Sequence, residues 1–182
     1  MMHILQDERE FCGERSAVAL GTFDGVHAGH RSLIAKAIEY ARKDGVESVV
    51  YTFDRNPLEV ICPERAPKPL MTLEEKLAKL EALGVQYAVV RRFDSEFAAV
   101  TAADFLKSIA ENLRPIAVIT GYNNTFGFKG EGNAQMIASS AAEYGYAPVI
   151  VQPVMVAGKT VSSTLIRALL AEGKTEEAKQ FL

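Results

Sequence analysis

Five short runs along the chain are apolar, rich in β-branched residues and almost free of charge: SAVALGTF (16–23), VESVVYTF (46–53), VQYAVVRRF (85–93), PIAVITGY (115–122) and YAPVIVQPV (146–154). Runs of this length and composition predict buried strands. Between them lie HRSLIAKAIEYARKDG (30–45), TLEEKLAKLEALG (72–84), TAADFLKSIAENL (101–113) and NAQMIASSAAEYG (133–145). Their apolar residues recur at three- and four-residue steps, and several of the segments close on Gly or Asn, which predicts helices. Strand and helix alternating at this rhythm predict the α/β class: a mainly parallel sheet of five strands, right-handed crossovers and helices on both faces. The tail VSSTLIRALLAEGKTEEAKQFL (161–182) adds two helices parted at Gly173, and VMVAGKTV (154–161) reads as a small hairpin through Gly158.

Composition narrows the functional classes. With 182 residues, 48% of them hydrophobic and 24% charged, the chain fits one packed domain over 1–182. A net charge of -3 without any Lys/Arg block gives no footprint for DNA or RNA, so any bound nucleotide is expected to be small. Cys12 and Cys62 match neither a disulfide framework nor a zinc spacing, which fits reduced thiols. No apolar run is long enough to span a bilayer, and the N-terminus is charged where a signal peptide needs its apolar core, so a cytoplasmic protein is expected, with no membrane partner. Nothing in the sequence sets an oligomeric state.

Open α/β sheets bind ligands beyond the carboxyl ends of their strands, so candidate residues should follow strands directly. The first predicted strand runs into GTFDGVHAGH, where Gly21, Gly25 and Gly29 let the backbone approach a ligand and aim free amides at an anion. Two of the three histidines in the chain, His27 and His30, sit three apart at this helix entrance. A hairpin through Asp24 and Gly25 would need a second alternating strand, and a helical pattern follows instead. A zinc site would need a nearby Cys or third His to complete the pair. The glycine spacing also differs from the G-x-G-x-x-G of dinucleotide-binding folds. At the far end of the chain, VSSTLIR places Ser162, Ser163 and Thr164 before an apolar run. One hydroxyl suffices to cap a helix, and Arg167 is expected in the first turn, where the dipole disfavours a cation unless an anion is bound.

GTFDGVHAGH resembles the H-x-G-H signature of nucleotidyltransferases, in the G-x-FDG-x-H form of bacterial FAD synthetases, and VSSTLIR resembles the [IV]-S-S-T-x-I-R stretch that closes the same site. The resemblance implies a Rossmann-like nucleotidyltransferase fold. It also implies that His27 and His30 contact ATP phosphates at the helix N-terminus, among Gly21, Thr22, Phe23, Asp24, Gly25 and Gly29. Ser163 and Arg167 then orient the pyrophosphate, with Ser162 and Thr164 in support. GYNNTFGFKGEG (121–132) resembles the flavin loop of the same family, with Gly121, Asn123, Phe126, Gly127, Lys129 and Gly132 in register and Asn124 standing where the family has an aromatic. TFDRNP resembles the F-[DE]-P-x-P stretch of the flavin pocket through Phe53, Asp54 and Pro57, with Arg55 in place of the first proline.

The resemblance covers essentially the whole chain. It implies FMN adenylyltransferase activity, ATP and FMN giving FAD and pyrophosphate, with Mg²⁺ on the phosphates and its protein ligands unassigned. In bacterial relatives a riboflavin kinase domain follows the helix matching KTEEAKQFL, and this chain stops at Leu182. Two rivals remain beside this reading: transfer to a different phosphorylated acceptor, motivated by Asn124 and Arg55, and a catalytically silent flavin- or nucleotide-binding module.

Overall fold

In the computed structural model, which describes residues Met1–Leu182, the chain runs β1 (His3–Leu5), β2 (Ser16–Leu20), α1 (Ala28–Asp44), β3 (Glu47–Phe53), α2 (Leu58–Ile61) and α3 (Leu73–Ala82). It continues through β4 (Tyr87–Arg91), α4 (Ser95–Ala98), α5 (Ala102–Leu113), β5 (Pro115–Gly121), β6 (Thr125–Phe126), β7 (Gly132–Asn133) and α6 (Ala134–Tyr144). It closes with β8 (Ala147–Val151), β9 (Met155–Val156), β10 (Lys159–Thr160), α7 (Ser163–Ala171) and α8 (Thr175–Lys179). Local chemistry sets many of these boundaries. Thr72 and Glu75 form a reciprocal capping box at α3, while Thr101, Asn133 and Ser162 cap α5, α6 and α7. Gly45 and Gly145 end α1 and α6 in the left-handed conformation.

The main sheet has six parallel strands in the order β1-β4-β3-β2-β5-β8. Successive residues of a strand face opposite sides, so each face has its own core. Ala17, Ala19, Val50, Ala88 and Ile119 pack with Leu33, Ile34, Ala37 and Ala41 of α1 and Leu80 of α3. Val18, Leu20, Val49, Val89 and Val118 pack with Phe105, Leu106 and Ile109 of α5 and Ile137 of α6 on the other side. A third, smaller cluster of Val161, Ile166, Leu169, Ala178 and Phe181 attaches the C-terminal helices. Strand order reverses at β2, which has β3 on one side and β5 on the other, so the crevice expected of such sheets opens at the carboxyl end of β2. No helix is long and apolar enough to cross a membrane.

The five expected strands and six expected helices are present. The sheet has a sixth strand, however: β1 pairs with β4 at the edge, His3 opposite Tyr87. It is three residues long, with His3 and Ile4 exposed, and too short to carry an apolar period. The first strand also ends at Leu20 rather than at residue 23, because Phe23 and Val26 adopt positive φ (51° and 43°) in the turn that follows.

Candidate active site

A cleft of about 620 Å³ opens at the carboxyl ends of the strands. It is lined by Gly21, Thr22, His27, Gly29 and His30 from the first turn and by Ser162, Ser163 and Thr164 from α7. Phe53, Pro57, Asn123, Phe126 and Gly127 line its other end. Of the motif residues singled out in the sequence, Phe23, Asp24, Gly25, Asp54, Arg55, Lys129, Gly132 and Arg167 do not line it.

The turn between β2 and α1 is tightly wound. Phe23, Gly25 and Val26 all have positive φ, a conformation that costs non-glycine residues about 1–2 kcal/mol each and persists where the surroundings enforce it. Phe23 and Val26 are fully buried, and their burial holds the turn in shape. Phe23 is thus a core residue that supports the site from beneath, with its ring edge-on to His30 at 5.3 Å. Gly25 needs its own conformation, and a Cβ there would meet Leu70 at 2.9 Å.

His27 is the N-cap of α1: its Nδ1 accepts the His30 amide at 3.3 Å, which places the proton of the neutral ring on Nε2. His27 and His30 stack at 3.6 Å between ring centroids, 15° from parallel. Burial pulls the pKa of His27 down to about 4 and that of His30 well below its usual value, the second reinforced by the charges of His27 and Lys76. Both rings are therefore neutral near pH 7. The Nδ1 of His30 is buried without a partner, which favours the tautomer with its proton on Nε2 as well. Neutral imidazoles in this setting donate hydrogen bonds to an anion without changing its protonation.

Two helix N-termini meet in the cleft, since α1 contributes Gly29 and His30 and α7 contributes Ser163 and Thr164. At Gly29 a Cβ would lie 3.1 Å from the His27 ring and 3.9 Å from the Val161 carbonyl, so the two helices approach each other here. The amides of Gly29, Ser163 and Thr164 have no intramolecular acceptor, whereas the Ala28 amide is taken by the Phe181 carbonyl at 3.0 Å. Free amides at two helix starts, with both dipoles pointing the same sign inward, make a site for a polyanion.

Asp24 joins the two sequence segments from opposite ends of the chain. Its Oδ1 accepts the Leu70 amide (2.9 Å), its Oδ2 pairs with Arg167, and its carbonyl accepts the Ser163 hydroxyl (2.9 Å). The Arg167 Nε donates to the Lys68 carbonyl at 2.8 Å. The first-turn expectation for Arg167 is corrected: α7 starts at Ser163, so Arg167 is its fifth residue, and its charge is balanced by Asp24. Ser162 is an ordinary N-cap whose hydroxyl accepts the Leu165 amide.

The other end of the cleft is an aromatic box. Phe53 makes edge-to-face contacts with Tyr51, Phe93 and Phe97, and Phe105 touches Tyr51, Phe97 and Phe126. All six rings or their edges line the cleft. Tyr51, Phe93, Phe97 and Phe105 were not singled out in the sequence. The available signal was the four-residue spacing of Phe93, the last residue of a predicted strand, and Phe97 just beyond it. Asp54 braces the box from outside: it accepts the Phe93 amide at 2.9 Å and pairs with Arg55. Of the two departures from the family pattern, Arg55 is thus folded away onto Asp54, and Asn124 faces the cleft.

Comparison with known proteins gives this geometry a family. The sequence profile described as FAD synthetase matches residues 10–165. A Geobacillus thermodenitrificans protein whose name pairs riboflavin kinase with FMN adenylyltransferase is 39% identical over 92% of this chain and 89% of its own length. The bifunctional riboflavin kinase/FMN adenylyltransferase of Escherichia coli K12 is 35% identical over 93% of this chain, which spans 54% of that relative. Among solved structures, the crystal structure of a macrolide-efflux protein from Streptococcus pneumoniae superposes with a TM-score of 0.83 at 26% identity, over 99% of this chain and 59% of that one.

Proposed function

This chain belongs to the FAD synthetase family, and on that premise we propose that it is an FMN adenylyltransferase, joining AMP from ATP to FMN and releasing pyrophosphate. The observation that carries the reading is that one cleft holds both an anion site built from two helix N-termini and an end lined by aromatic rings. The triphosphate lies across the starts of α1 and α7, against Gly29, His27 Nε2, His30, Ser163 and Thr164. The isoalloxazine ring enters the box formed by Phe53, Phe93, Phe97 and Phe126, with Pro57, Asn123 and Gly127 at its edges.

An oxygen of the FMN phosphate attacks the α-phosphorus in line, a new P–O bond forms, and the bond to the β-phosphate bridging oxygen breaks. The attacking phosphate is already ionised, so no general base is needed, and the protein contributes by positioning and charge stabilisation. Charge grows on the leaving pyrophosphate, where the neutral His27 and His30 donate from Nε2. Asp24 and Arg167 act behind the substrates, locking the first turn to α7. Mg²⁺ enters as part of the substrate, Mg·ATP. The side chains form no cluster of three or more His, Cys, Asp or Glu, and Asp24 is held by Arg167, so phosphate oxygens and water would supply most of its ligands.

The test is incubation of the purified chain with FMN and Mg·ATP, followed by chromatography of the flavins and assay of pyrophosphate. FAD and pyrophosphate formed in equal amounts are expected. Turnover of ATP with another phosphorylated acceptor but not with FMN would overturn the assignment.

A further inference from the structure

Lys76 belongs to none of the motifs read from the sequence and lies outside the cleft, yet it is the only buried Lys or Arg in the chain, 8% exposed. It projects from α3, and its Nζ donates to the Thr22 carbonyl (3.2 Å), the Thr52 hydroxyl (3.1 Å) and the Phe53 carbonyl (2.8 Å). All three N–H groups are used, each on a neutral oxygen. The acids whose charges reach it, Asp24 and Asp54, are committed to Arg167 and Arg55. A buried ammonium without a paired carboxylate is a poor device for stability, because desolvation opposes it.

Its acceptors show what it holds. The last residues in register between β2 and β3 are Leu20 and Tyr51, and the Gly21 amide still reaches the Tyr51 carbonyl. Beyond that point the two strands part, one into the nucleotide turn and the other into the aromatic box. Across the gap the Thr52 hydroxyl reaches the Thr22 carbonyl (2.9 Å), and Lys76 ties Thr22, Thr52 and Phe53 together. Thr22 and Phe53 themselves line the cleft, on its anion side and its aromatic side.

We propose that Lys76 is a positioning residue for adenylyl transfer: its buried ammonium fixes the spacing between the half-site for the triphosphate and the half-site for the acceptor, without touching either substrate. This rests on the FMN adenylyltransferase reading. In-line transfer requires the acceptor phosphate within bonding approach of the α-phosphorus, so a small change in spacing lowers turnover while each substrate still finds its own half-site. The geometry also predicts a pH response. A neutral amine has two N–H donors for three acceptors, so deprotonation must release one of them. Burial lowers the Lys76 pKa to about 8, opposed by Asp24 in the turn before α1 and by Asp54 after β3. His30 of α1 is the other titratable group within its field.

The experiment is steady-state FAD synthesis by the wild-type chain and Lys76→Met from about pH 7 to pH 9.5. The expected result is that Lys76→Met loses about tenfold or more in kcat with KM for ATP and FMN within about threefold. The wild-type kcat falls above about pH 8, and that fall is missing in the variant. A variant kcat within about twofold of wild type, an effect on KM alone, or the same alkaline fall in both proteins overturns the proposal. If the methionine variant does not fold, Lys76→Gln takes its place, and a flat wild-type kcat over the same pH range also overturns it. Failure of the wild-type chain to make FAD defeats the functional reading itself, whereas wild-type FAD synthesis matched by the variant defeats only the role of Lys76.

Discussion

Asp24 concentrates much of the residue-scale chemistry, because its carboxylate and carbonyl together bind Leu70, Arg167 and Ser163. The Asp24–Arg167 pair has side chains 16% and 21% exposed, and removing one partner leaves the other charge poorly solvated. Arg167→Ala is therefore expected to lower the stability of the ligand-free chain by about 1–3 kcal/mol, read from urea melts. Combining it with Asp24→Asn should cost less than the sum of the single changes. His30→Ala makes a contrasting case. It removes a neutral donor from the anion site, so kcat should fall about a hundredfold, as when one preorganised donor is lost. Comparable turnover in the alanine variant would exclude His30 from the chemistry. Asn124 lines the cleft near its aromatic end and offers amide edges where an aromatic face would stack on the proposed flavin. Asn124→Phe should tighten FMN binding by about 1 kcal/mol, measurable as quenching of FMN fluorescence.

At the scale of elements, the segment from Gly121 to Asn133 looks like a flexible glycine-rich loop in sequence, yet it is docked at several points. Its β6 and β7 pair with each other, Thr125 opposite Asn133, and Glu131 accepts the first amide of α5, Ala102 N, at 2.8 Å. Gly127 sits so close to that helix start that a Cβ would fall 2.5 Å from the Ala102 nitrogen, and its φ is 75°. Gly127→Ala therefore faces both a backbone clash and a left-handed conformation. We expect it to displace the loop, weaken FMN binding by about tenfold or more and leave ATP binding nearly unchanged. Separate titrations of the two ligands would show this, and equal losses for both would mean that the loop supports the whole cleft.

Across the whole molecule, the buried histidines make folding sensitive to acid. The folded-state pKa of His27 is about 4 against an ordinary value of 6.5, and His30 is shifted in the same direction. Between those values the unfolded chain binds protons that the folded chain refuses. Stability is thus fully present above about pH 6.5 and is lost as pH falls toward 4, by on the order of 2 kcal/mol from His27 alone. Denaturant midpoints measured from pH 7 to pH 4 should fall through this window, and the fall should shrink in His27→Gln. Lys76 acts in the same sense, in a more alkaline window. Its folded-state pKa of about 8 lies below the ordinary 10.5, so in the absence of ligand its contribution to stability rises as pH passes from 8 to 10.5.

The strand and helix pattern, the crossovers and the location of the site beyond the strand ends are legible in the sequence, because they follow from local periodicity and from caps such as Thr72, Gly45 and Gly145. The histidine pair is legible for the same reason: three-residue spacing at a helix start brings both rings to one place. Tertiary structure decided the rest. It added β1, whose three residues have no period of their own and gain strand form only by pairing with β4. It turned Arg167 from a free cation at a helix start into the partner of Asp24, 143 residues away in sequence. It gathered Tyr51, Phe53, Phe93, Phe97, Phe105 and Phe126 from several elements into one box, and it set Lys76 across the ends of two strands. Contacts between residues far apart in the chain depend on how the elements pack, and no pattern along a single segment encodes them.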